Sequence, residues 1–241
     1  KEKNIIMENN NWLNYWDKKN IWTKSYLWKK NNEIFFKKTL DIFNYSKNDK
    51  ILDIGCGNGD FCEKVSNKVN QIYCLDVSRE YINICKKRFA NNQNVRVLKI
   101  DKQYTDLSFV KGVNFSIIIA NSVVQYYRSQ NEVVDLVKSV KSIASKDAQF
   151  LISDIEVINR KKSFLKLIYN SLINRYFFSL IKTGLDLVIN KEYSNISKQQ
   201  PLLLIDINKL IDELSSFVKE VKIINNNLTI NVNRKHLLIK L

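Results

Sequence analysis

One glycine-rich loop constrains the fold of this 241-residue chain more than any other feature. The chain has only five glycines, and Gly55, Gly57 and Gly59 fall together in I-L-D-I-G-C-G-N-G-D-F over residues 51–61. The loop follows an apolar run and precedes a helical pattern. Glycines at such a point let the backbone turn sharply and approach a ligand closely. The sequence therefore predicts a ligand-binding turn between a strand and a helix.

Short apolar runs alternate with helical patterns around this loop. The runs that predict strands are Lys50–Ile54, Gln71–Leu75, Val95–Ile100, Phe115–Ala120 and Gln149–Ser153, with Val221–Ile224 and His236–Leu241 near the end. Helical patterns lie between them at about 60–69, 79–89 and 131–144, and again at 207–217. This alternation predicts an α/β, Rossmann-like seven-stranded sheet, mostly parallel, with an antiparallel last strand and helices on both faces.

Two segments fall outside this regular alternation. Residues 1–47 contain two helical patterns and predict an N-terminal helical cap. Residues 48–241 form the main domain, and a basic, mainly helical insertion at 157–200 follows the fifth strand.

The spacing of the glycine loop limits its ligand. A dinucleotide fingerprint reads G-x-G-x-x-G and seats a pyrophosphate. Here the third glycine comes one residue early, Asp60 takes the last position, and Asp53 precedes the loop. Two carboxylates would repel a pyrophosphate, but they are compatible with the ammonium and sulfonium groups of S-adenosylmethionine. A P-loop is excluded because no G-K-[ST] follows.

The loop resembles motif I of the class I S-adenosylmethionine-dependent methyltransferases, over about residues 48–154 plus the closing helix and hairpin. The resemblance implies that Asp53 and the three glycines surround the methionine part of the cofactor. Asp76 ends an apolar strand about twenty residues further on, where a carboxylate accepts hydrogen bonds from ribose hydroxyls. Asp101 matches the acid that meets the adenine amino group, although Asp106 is close by. The expected cofactor-binding residues are Trp16, Asp53, Gly55, Cys56, Gly57, Gly59, Asp76, Val77, Asp101, Lys102, Asn121 and Ser122.

The acceptor side is predicted from the stretch A-N-S-V-V-Q-Y-Y at 120–127. It resembles a segment of small-molecule methyltransferases in which a His often stands where Gln125 stands here. Gln cannot act as a base, so a catalytic His is missing. The candidates for a base or positioning role are Asp154, Gln125 and Tyr126, with Glu156 and Tyr127 as further candidates. His236 is interpreted as structural, and no metal is expected because no cluster of ligand residues occurs near this stretch.

Two segments, the aromatic leader and the basic insertion, are candidates to cover the ligand site. The leader is rich in aromatic residues, Trp12, Tyr15, Trp16, Trp22, Tyr26 and Trp28, and predicts a packed cap, a cover over the cofactor, or both. The insertion carries Arg160, Lys161, Lys162, Lys166, Arg175 and Lys182 among apolar residues. It could form an acceptor lid, a homodimer face or a membrane-surface contact.

Composition bears on partners and location. The formal net charge is +15, which favours anionic partners unless it reflects compositional drift. The leading function is methylation of a small anionic, phosphate-containing or sugar-like metabolite, with O-methylation favoured. A general similarity to methyltransferases of bacterial surface-polysaccharide modification points the same way. An RNA or protein methyltransferase, or a non-catalytic cofactor-binding subunit, is the alternative. Nucleic acid is disfavoured because no RNA-binding motif occurs. With no transmembrane pattern and four cysteines predicted as free thiols, the expected location is cytoplasmic.

Overall fold

The computed structural model describes residues 11–23, 25–101, 104–158 and 164–241. Within these ranges seven strands form one sheet in the order β3-β2-β1-β4-β5-β7-β6. The strands are β1 (Lys50–Ile54), β2 (Gln71–Asp76), β3 (Val95–Lys99), β4 (Phe115–Asn121), β5 (Ala144–Ile155), β6 (Glu220–Ile224) and β7 (Lys235–Lys240). The first five are parallel, and β7 runs antiparallel to both β5 and β6. The predicted fold class is confirmed.

Helices cover both faces of the sheet. They are α1 (Asn11–Trp16), α2 (Tyr26–Thr39), α3 (Asp60–Ser66), α4 (Arg79–Arg88), α5 (Gln130–Ile143), α6 (Phe164–Ile173), α7 (Phe177–Ile189), α8 (Lys191–Gln199) and α9 (Ile207–Ser215). Two short 3-10 helices, Ser108–Val110 and Val124–Tyr126, flank β4. Side chains cap several helices: the Ser78 hydroxyl accepts from the Tyr81 N–H at the start of α4.

The core consists of two apolar layers, one on each side of the sheet. Successive side chains of a strand point to opposite faces, so Ile51 and Leu52 of β1 belong to different layers. Leu136 and Val140 of α5 pack in the Leu52 layer. Phe35, Phe61 and Val65, from α2 and α3, pack in the Ile51 layer. The cap helix α2 is therefore part of the domain's own core.

Among the strands, the largest difference from a predicted boundary lies at the start of β5. Strand β5 begins at Ala144, five residues before the predicted start, and α5 ends at Ile143. The five extra residues contain no large apolar side chain, only Ala148 among them is buried, and the pairing of β4 with β5 is irregular between Phe115 and Ile117. The search for apolar runs in the sequence therefore could not detect this part of the strand.

The prediction of four free thiols is wrong for two of the cysteines. Cys62 and Cys74 are joined by a disulfide, with their Cα atoms 6.7 Å apart, while Cys56 and Cys85 are free and buried. Helix α3 packs against β2, which brings these side chains together. Neither residue belongs to a recognisable cysteine motif, so the sequence held no signal for this contact.

Candidate functional site

A cavity of about 760 Å³, including its mouth, lies at the carboxyl ends of β1, β2 and β4. In a parallel sheet this edge is the usual ligand site, because the chain crosses to opposite faces on either side of β1. Aromatic side chains dominate the wall: Trp12, Trp16, Trp28, Tyr81, Tyr104, Tyr126 and Tyr127. The other lining residues are Leu13, Ile54, Gly55, Gly57, Asp76, Val77, Ile100, Asn121, Ser122 and Val123.

The glycine loop forms the floor of the cavity. Gly55 has φ +73°, and a β-carbon there would collide with the Val123 side chain. Gly59 begins α3 with φ +82°, and a β-carbon there would lie 2.7 Å from Phe89 Cε2. The N–H of Gly55 donates to the Leu75 carbonyl at 2.7 Å, which fixes the loop against the end of β2. Both positions require glycine on conformational and steric grounds.

Asp76 joins the glycine loop to β2. Its Oδ2 accepts from the Gly57 N–H at 2.9 Å, and its Oδ1 accepts from the Ser78 N–H at 2.8 Å. Burial raises the pKa of Asp76 to about 6, and these backbone donors limit the rise because they favour the charged form. The carboxylate lines the cavity and is pre-oriented for a ligand donor.

Asp53 lies behind the cavity wall. Burial, with the nearby Asp76 charge adding to it, raises the pKa of Asp53 to about 8. The Cys62 sulfur lies 3.2 Å from its Oδ2. A buried carboxyl group without a cationic partner favours its neutral form, and it would ionise more readily if a positive group arrived nearby.

The structure brings together some of the predicted cofactor residues and separates others. Trp16, Gly55, Gly57, Asp76, Val77, Asn121 and Ser122 line the cavity. Cys56 and Asp53 are buried outside the lining, Gly59 supports the loop from behind, and Lys102 lies outside the described residues.

Asp101 is exposed and does not line the cavity, contrary to its expected contact with the adenine ring. The preceding residue, Ile100, lines the cavity instead, and its N–H donates to the Asp76 backbone carbonyl at 2.8 Å. Tyr104 also lines the cavity. Because Ile100 already faces the core, the next residue faces solvent.

Asp154 lies behind Ser122 in a buried polar cluster. The Ser122 hydroxyl donates to its Oδ2 at 2.6 Å, and Thr229 Oγ1 and Asn231 Nδ2 donate to its Oδ1 at 3.0 and 3.1 Å. Arg234 Nε lies 3.9 Å from the same oxygen. The carboxylate lies outside the cavity lining, so it does not face an acceptor directly. Its geometry suits it to orient Ser122.

His236 fixes the end of β5 from below. Its Nδ1 accepts from the Asp154 N–H at 3.2 Å, and burial lowers the pKa of the imidazole to about 4. The ring is therefore neutral near pH 7 and lies outside the cavity lining. This placement agrees with the structural role predicted for it.

Gln125 and Tyr126 lie on the 3-10 turn after β4. Tyr126 lines the cavity between two indole rings, with centroids 5.1 Å from Trp12 and 5.2 Å from Trp16. Burial holds the pKa of its hydroxyl well above the ordinary value, so this group is not a ready base. Gln125 is buried beside it, and its Oε1 has no hydrogen-bond partner among the described residues.

The cap and the insertion meet over the cavity. Tyr193 of α8 contacts the rings of Trp12, Tyr15 and Trp22, at centroid distances of 5.1, 5.6 and 5.8 Å. The Trp12 indole N–H donates to the Gln200 carbonyl at 2.9 Å. Both segments therefore contribute to one aromatic roof.

A second contact ties the cap to the domain. The Asp17 carboxylate accepts hydrogen bonds from the Arg79 backbone N–H and guanidinium at 2.7–2.9 Å. Arg79 is the first residue of α4.

Several wall residues were missed by sequence reasoning. Tyr81 lies five residues after Asp76 on the first turn of α4, so its spacing from the acid could have revealed it. Tyr104, which lines the cavity, and Tyr193, which contacts the wall residue Trp12, carried no comparable signal. Neither residue lies in a recognisable motif or at a fixed spacing from the glycine loop. Among the described residues, no cluster of three or more His, Cys, Asp or Glu side chains is placed to hold a metal ion.

Comparison with known proteins finds a methyltransferase domain within the chain. Residues 51–147 match the family model described as "Methyltransferase domain". A ubiquinone/menaquinone biosynthesis C-methyltransferase from Wigglesworthia glossinidia brevipalpis is 28% identical over 125 residues, which are 50% of this chain and 48% of that protein. A putative methyltransferase from Bacillus subtilis is 23% identical over 38% of this chain and 36% of its own length. The chain spans less than half the length of the curated relatives it matches.

Solved structures share the fold at low sequence identity. The N-methyltransferase NodS from Bradyrhizobium japonicum, in complex with S-adenosylhomocysteine, matches with a TM-score of 0.58 at 12% identity, covering 97% of this chain and 98% of that one. A putative S-adenosylmethionine-dependent methyltransferase from Methanococcus maripaludis matches with a TM-score of 0.54 at 13% identity, covering 87% and 86%. Residues 51–147 thus match a methyltransferase domain, and the sheet and helices around them share the fold of solved S-adenosylmethionine-dependent methyltransferases.

Proposed function

We propose that this chain transfers a methyl group from S-adenosylmethionine to a small-molecule acceptor. The observation that carries the proposal is the cavity at the carboxyl edge of the sheet, where the Asp76 carboxylate and the Gly57 amide meet. The NodS structure, of the same fold, is a complex with S-adenosylhomocysteine, which supports the same cofactor here.

The charges around the cavity fit this cofactor. Asp53 and Asp76 are both buried with raised pKa values, and among the described residues no basic side chain forms a salt bridge with either. A ligand with ammonium and sulfonium groups would stabilise both charged carboxylates, whereas a pyrophosphate would add repulsion. We infer that Asp76 holds the ribose, that Gly55 and Gly57 border the methionine part, and that Trp16 and Tyr81 flank the ligand.

The protein's contribution to catalysis is positioning and exclusion of water. Bound S-adenosylmethionine supplies an electrophilic methyl group on a sulfonium, and transfer needs the acceptor atom held in line with it. The aromatic roof from Trp12, Tyr126 and Tyr193 covers the site. Ser122, oriented by Asp154, offers a hydroxyl oxygen to an acceptor donor.

The described wall also limits the acceptor chemistry. It contains no His, Lys, Arg or Glu, and the pKa of Tyr126 lies well above its ordinary value. An acceptor atom that is already nucleophilic, such as an anionic oxygen or a neutral amine, suits a site of this kind because no base is required.

The narrower acceptor, an anionic phosphate-containing or sugar-like metabolite methylated on oxygen, remains part of this proposal. Its supports are the net charge of +15 and the basic insertion. Lys161 and Lys162 lie outside the described residues, so the cations expected at the mouth have no described position. The second candidate is an acceptor with a flat or apolar ring, which the aromatic wall favours through stacking.

A methyl-transfer assay tests the function. Labelled S-adenosylmethionine is incubated with the chain and with phosphorylated metabolites, nucleotide sugars, ring compounds and RNA in separate reactions. We expect label on a small molecule, with activity that survives chelation. For an anionic acceptor, kcat/KM falls as salt rises, and Lys161→Gln with Lys162→Gln raises KM more than it lowers kcat. Label on RNA alone, or restoration by magnesium after chelation, would contradict the proposal.

A further inference from the structure

The insertion exposes an apolar face that the catalytic site does not use. Helix α6 presents Leu165, Tyr169, Leu172 and Ile173 to solvent, and α7 presents Phe178, Ile181, Leu185, Val188 and Ile189. The spacing in each helix puts these side chains on one side, at intervals of three and four residues. Leu165, Phe178 and Ile189 are 79%, 84% and 79% exposed. We call these nine residues the outer stripe.

The outer stripe is not the side by which the insertion packs on the domain. Tyr176, between the two helices, is buried with Leu27 of α2 and Ile230, and Leu180 of α7 packs against the same group. The insertion thus already has an apolar inner contact. A second apolar face costs solubility unless another surface covers it.

Charge around the outer stripe identifies the kind of surface. Residues 164–200 contain five basic and two acidic side chains, and the whole chain carries +15. The exposed Lys182 lies on α7, and the exposed Arg175 lies between the two helices. A second copy of so basic a chain would meet repulsion at this face, whereas an anionic lipid surface would attract it.

We propose that the outer stripe docks on an anionic membrane surface, with α6 and α7 lying in the plane of the lipid headgroups. An apolar helix face flanked by Lys and Arg is the form that interfacial helices take. The helices contain 10 and 13 residues, about 15 and 20 Å at the helical rise, and so are too short to cross a bilayer. Among the described residues, no helix is long and apolar enough to span one.

Docking would place the active-site roof next to the lipid. Helix α8 follows α7 after Asn190, and its Tyr193 contacts Trp12 at the cavity wall. The inference stands independently of the methyl-transfer proposal, because lipid binding is measured without cofactor or acceptor.

Vesicle co-sedimentation tests the docking. The full chain is mixed with vesicles of phosphatidylcholine alone, or of phosphatidylcholine with phosphatidylglycerol. We expect binding to the anionic vesicles that weakens as salt rises. Phe178→Ser combined with Val188→Ser should weaken it about tenfold, since two apolar anchors leave the lipid. Lys182→Glu should also weaken it, several-fold.

Control variants outside the outer stripe, together with a measurement of oligomeric state, show whether the loss of vesicle binding is specific to the stripe. Phe109→Ser removes an exposed aromatic ring from the 3-10 helix at Ser108–Val110, and Lys87→Glu reverses an exposed charge on α4. Both should bind vesicles like the parent chain. Circular dichroism and urea unfolding check that each variant is folded. Equal loss in the controls, or no binding to anionic vesicles, would overturn the inference. Sedimentation velocity gives a further test. The inference would also be overturned if the parent chain forms a dimer, the Phe178→Ser and Val188→Ser variant is a monomer, and neither binds vesicles.

Discussion

The Asp76 carboxylate and the Gly57 amide hold the end of β2 and the glycine loop in a fixed relation. Each Asp76 oxygen accepts one backbone N–H, which leaves lone pairs toward the cavity. The carboxylate is thus positioned before any ligand arrives, and little reorganisation is needed on binding.

Replacing Asp76 should weaken cofactor binding. Asp76→Ala removes a charged acceptor, and we expect S-adenosylhomocysteine affinity to fall by about 1–3 kcal/mol in calorimetry. Asp106→Ala is the matched control, because Asp106 is an exposed carboxylate that accepts the Ser108 N–H outside the cavity. Unchanged affinity in a folded Asp76→Ala variant would move the ribose contact elsewhere.

Two glycines allow the cost of a left-handed backbone to be measured separately from the cost of a steric clash. Gly55→Ala combines a left-handed backbone with a clash against Val123, whereas Gly112→Ala has φ +89° with nothing within 4 Å of its β-carbon. We expect Gly112→Ala to lower the free energy of unfolding by about 1 kcal/mol and Gly55→Ala by about 3 kcal/mol. Urea unfolding measures both, and equal losses would show that Val123 yields to the added methyl group.

Asp53 predicts a pH dependence of stability. Its folded pKa, about 8, lies above its unfolded value, so the stability it contributes is full in acid and is lost as pH rises through 8. His236, with its pKa lowered to about 4, contributes constantly above its ordinary value of 6.5. From pH 6.5 to 8 the cofactor-free chain should therefore lose about 1–2 kcal/mol of unfolding free energy.

The Asp53→Asn variant is the test of that dependence. It should flatten the loss between those pH values in urea unfolding, whereas Asp106→Asn, at an exposed site, should leave it in place. A parent chain whose stability is flat over this range would show that Asp53 is ionised in the folded state.

Single-residue prediction from the sequence succeeded where the contact was local. The glycine loop and Asp76 are linked by a motif and a spacing, and both line the cavity. The partners of Asp154 could not be predicted, because Thr229, Asn231 and Arg234 lie at least 75 residues away along the chain. The disulfide between Cys62 and Cys74 was missed for a similar reason, since only packing brings them together.

At the level of helices and strands, the cap and the insertion behave as one cover. Tyr193 is the residue that joins them, because its ring contacts three aromatic side chains of the leader. The sequence predicted both segments as helical, but helical periodicity does not show which segment packs on which. The central strands were easier, since β1, β2 and β4 are short, mostly buried apolar runs of the kind found in the middle of a parallel sheet.

Removing the Tyr193 ring should loosen the cover. We expect Tyr193→Ala to raise the dissociation rate of S-adenosylhomocysteine about fivefold to tenfold, because aromatic contacts contribute about 1 kcal/mol or more. Stopped-flow tryptophan fluorescence follows the release. Tyr169→Ala, on the exposed side of α6, is the control. Equal release rates in the two variants would mean that α8 does not cover the site.

For the whole molecule, the strand order explains where the cavity lies, whereas the net charge does not explain what the cavity binds. The order places the ends of β1, β2 and β4 around one cavity, and this arrangement followed from the alternation of strands and helices. The charge of +15 does not appear in the described wall of that cavity. The sequence therefore predicted where the ligand site lies better than what its acceptor would be.

Isothermal titration of the chain with S-adenosylhomocysteine, a nicotinamide dinucleotide and a flavin dinucleotide tests which cofactor the cavity binds. We expect saturable binding of S-adenosylhomocysteine in the micromolar range common for enzyme ligands, weakened by Asp76→Ala. We expect no binding of either dinucleotide. Tight binding of a dinucleotide, with none of S-adenosylhomocysteine, would show that the cavity is not a site for S-adenosylmethionine.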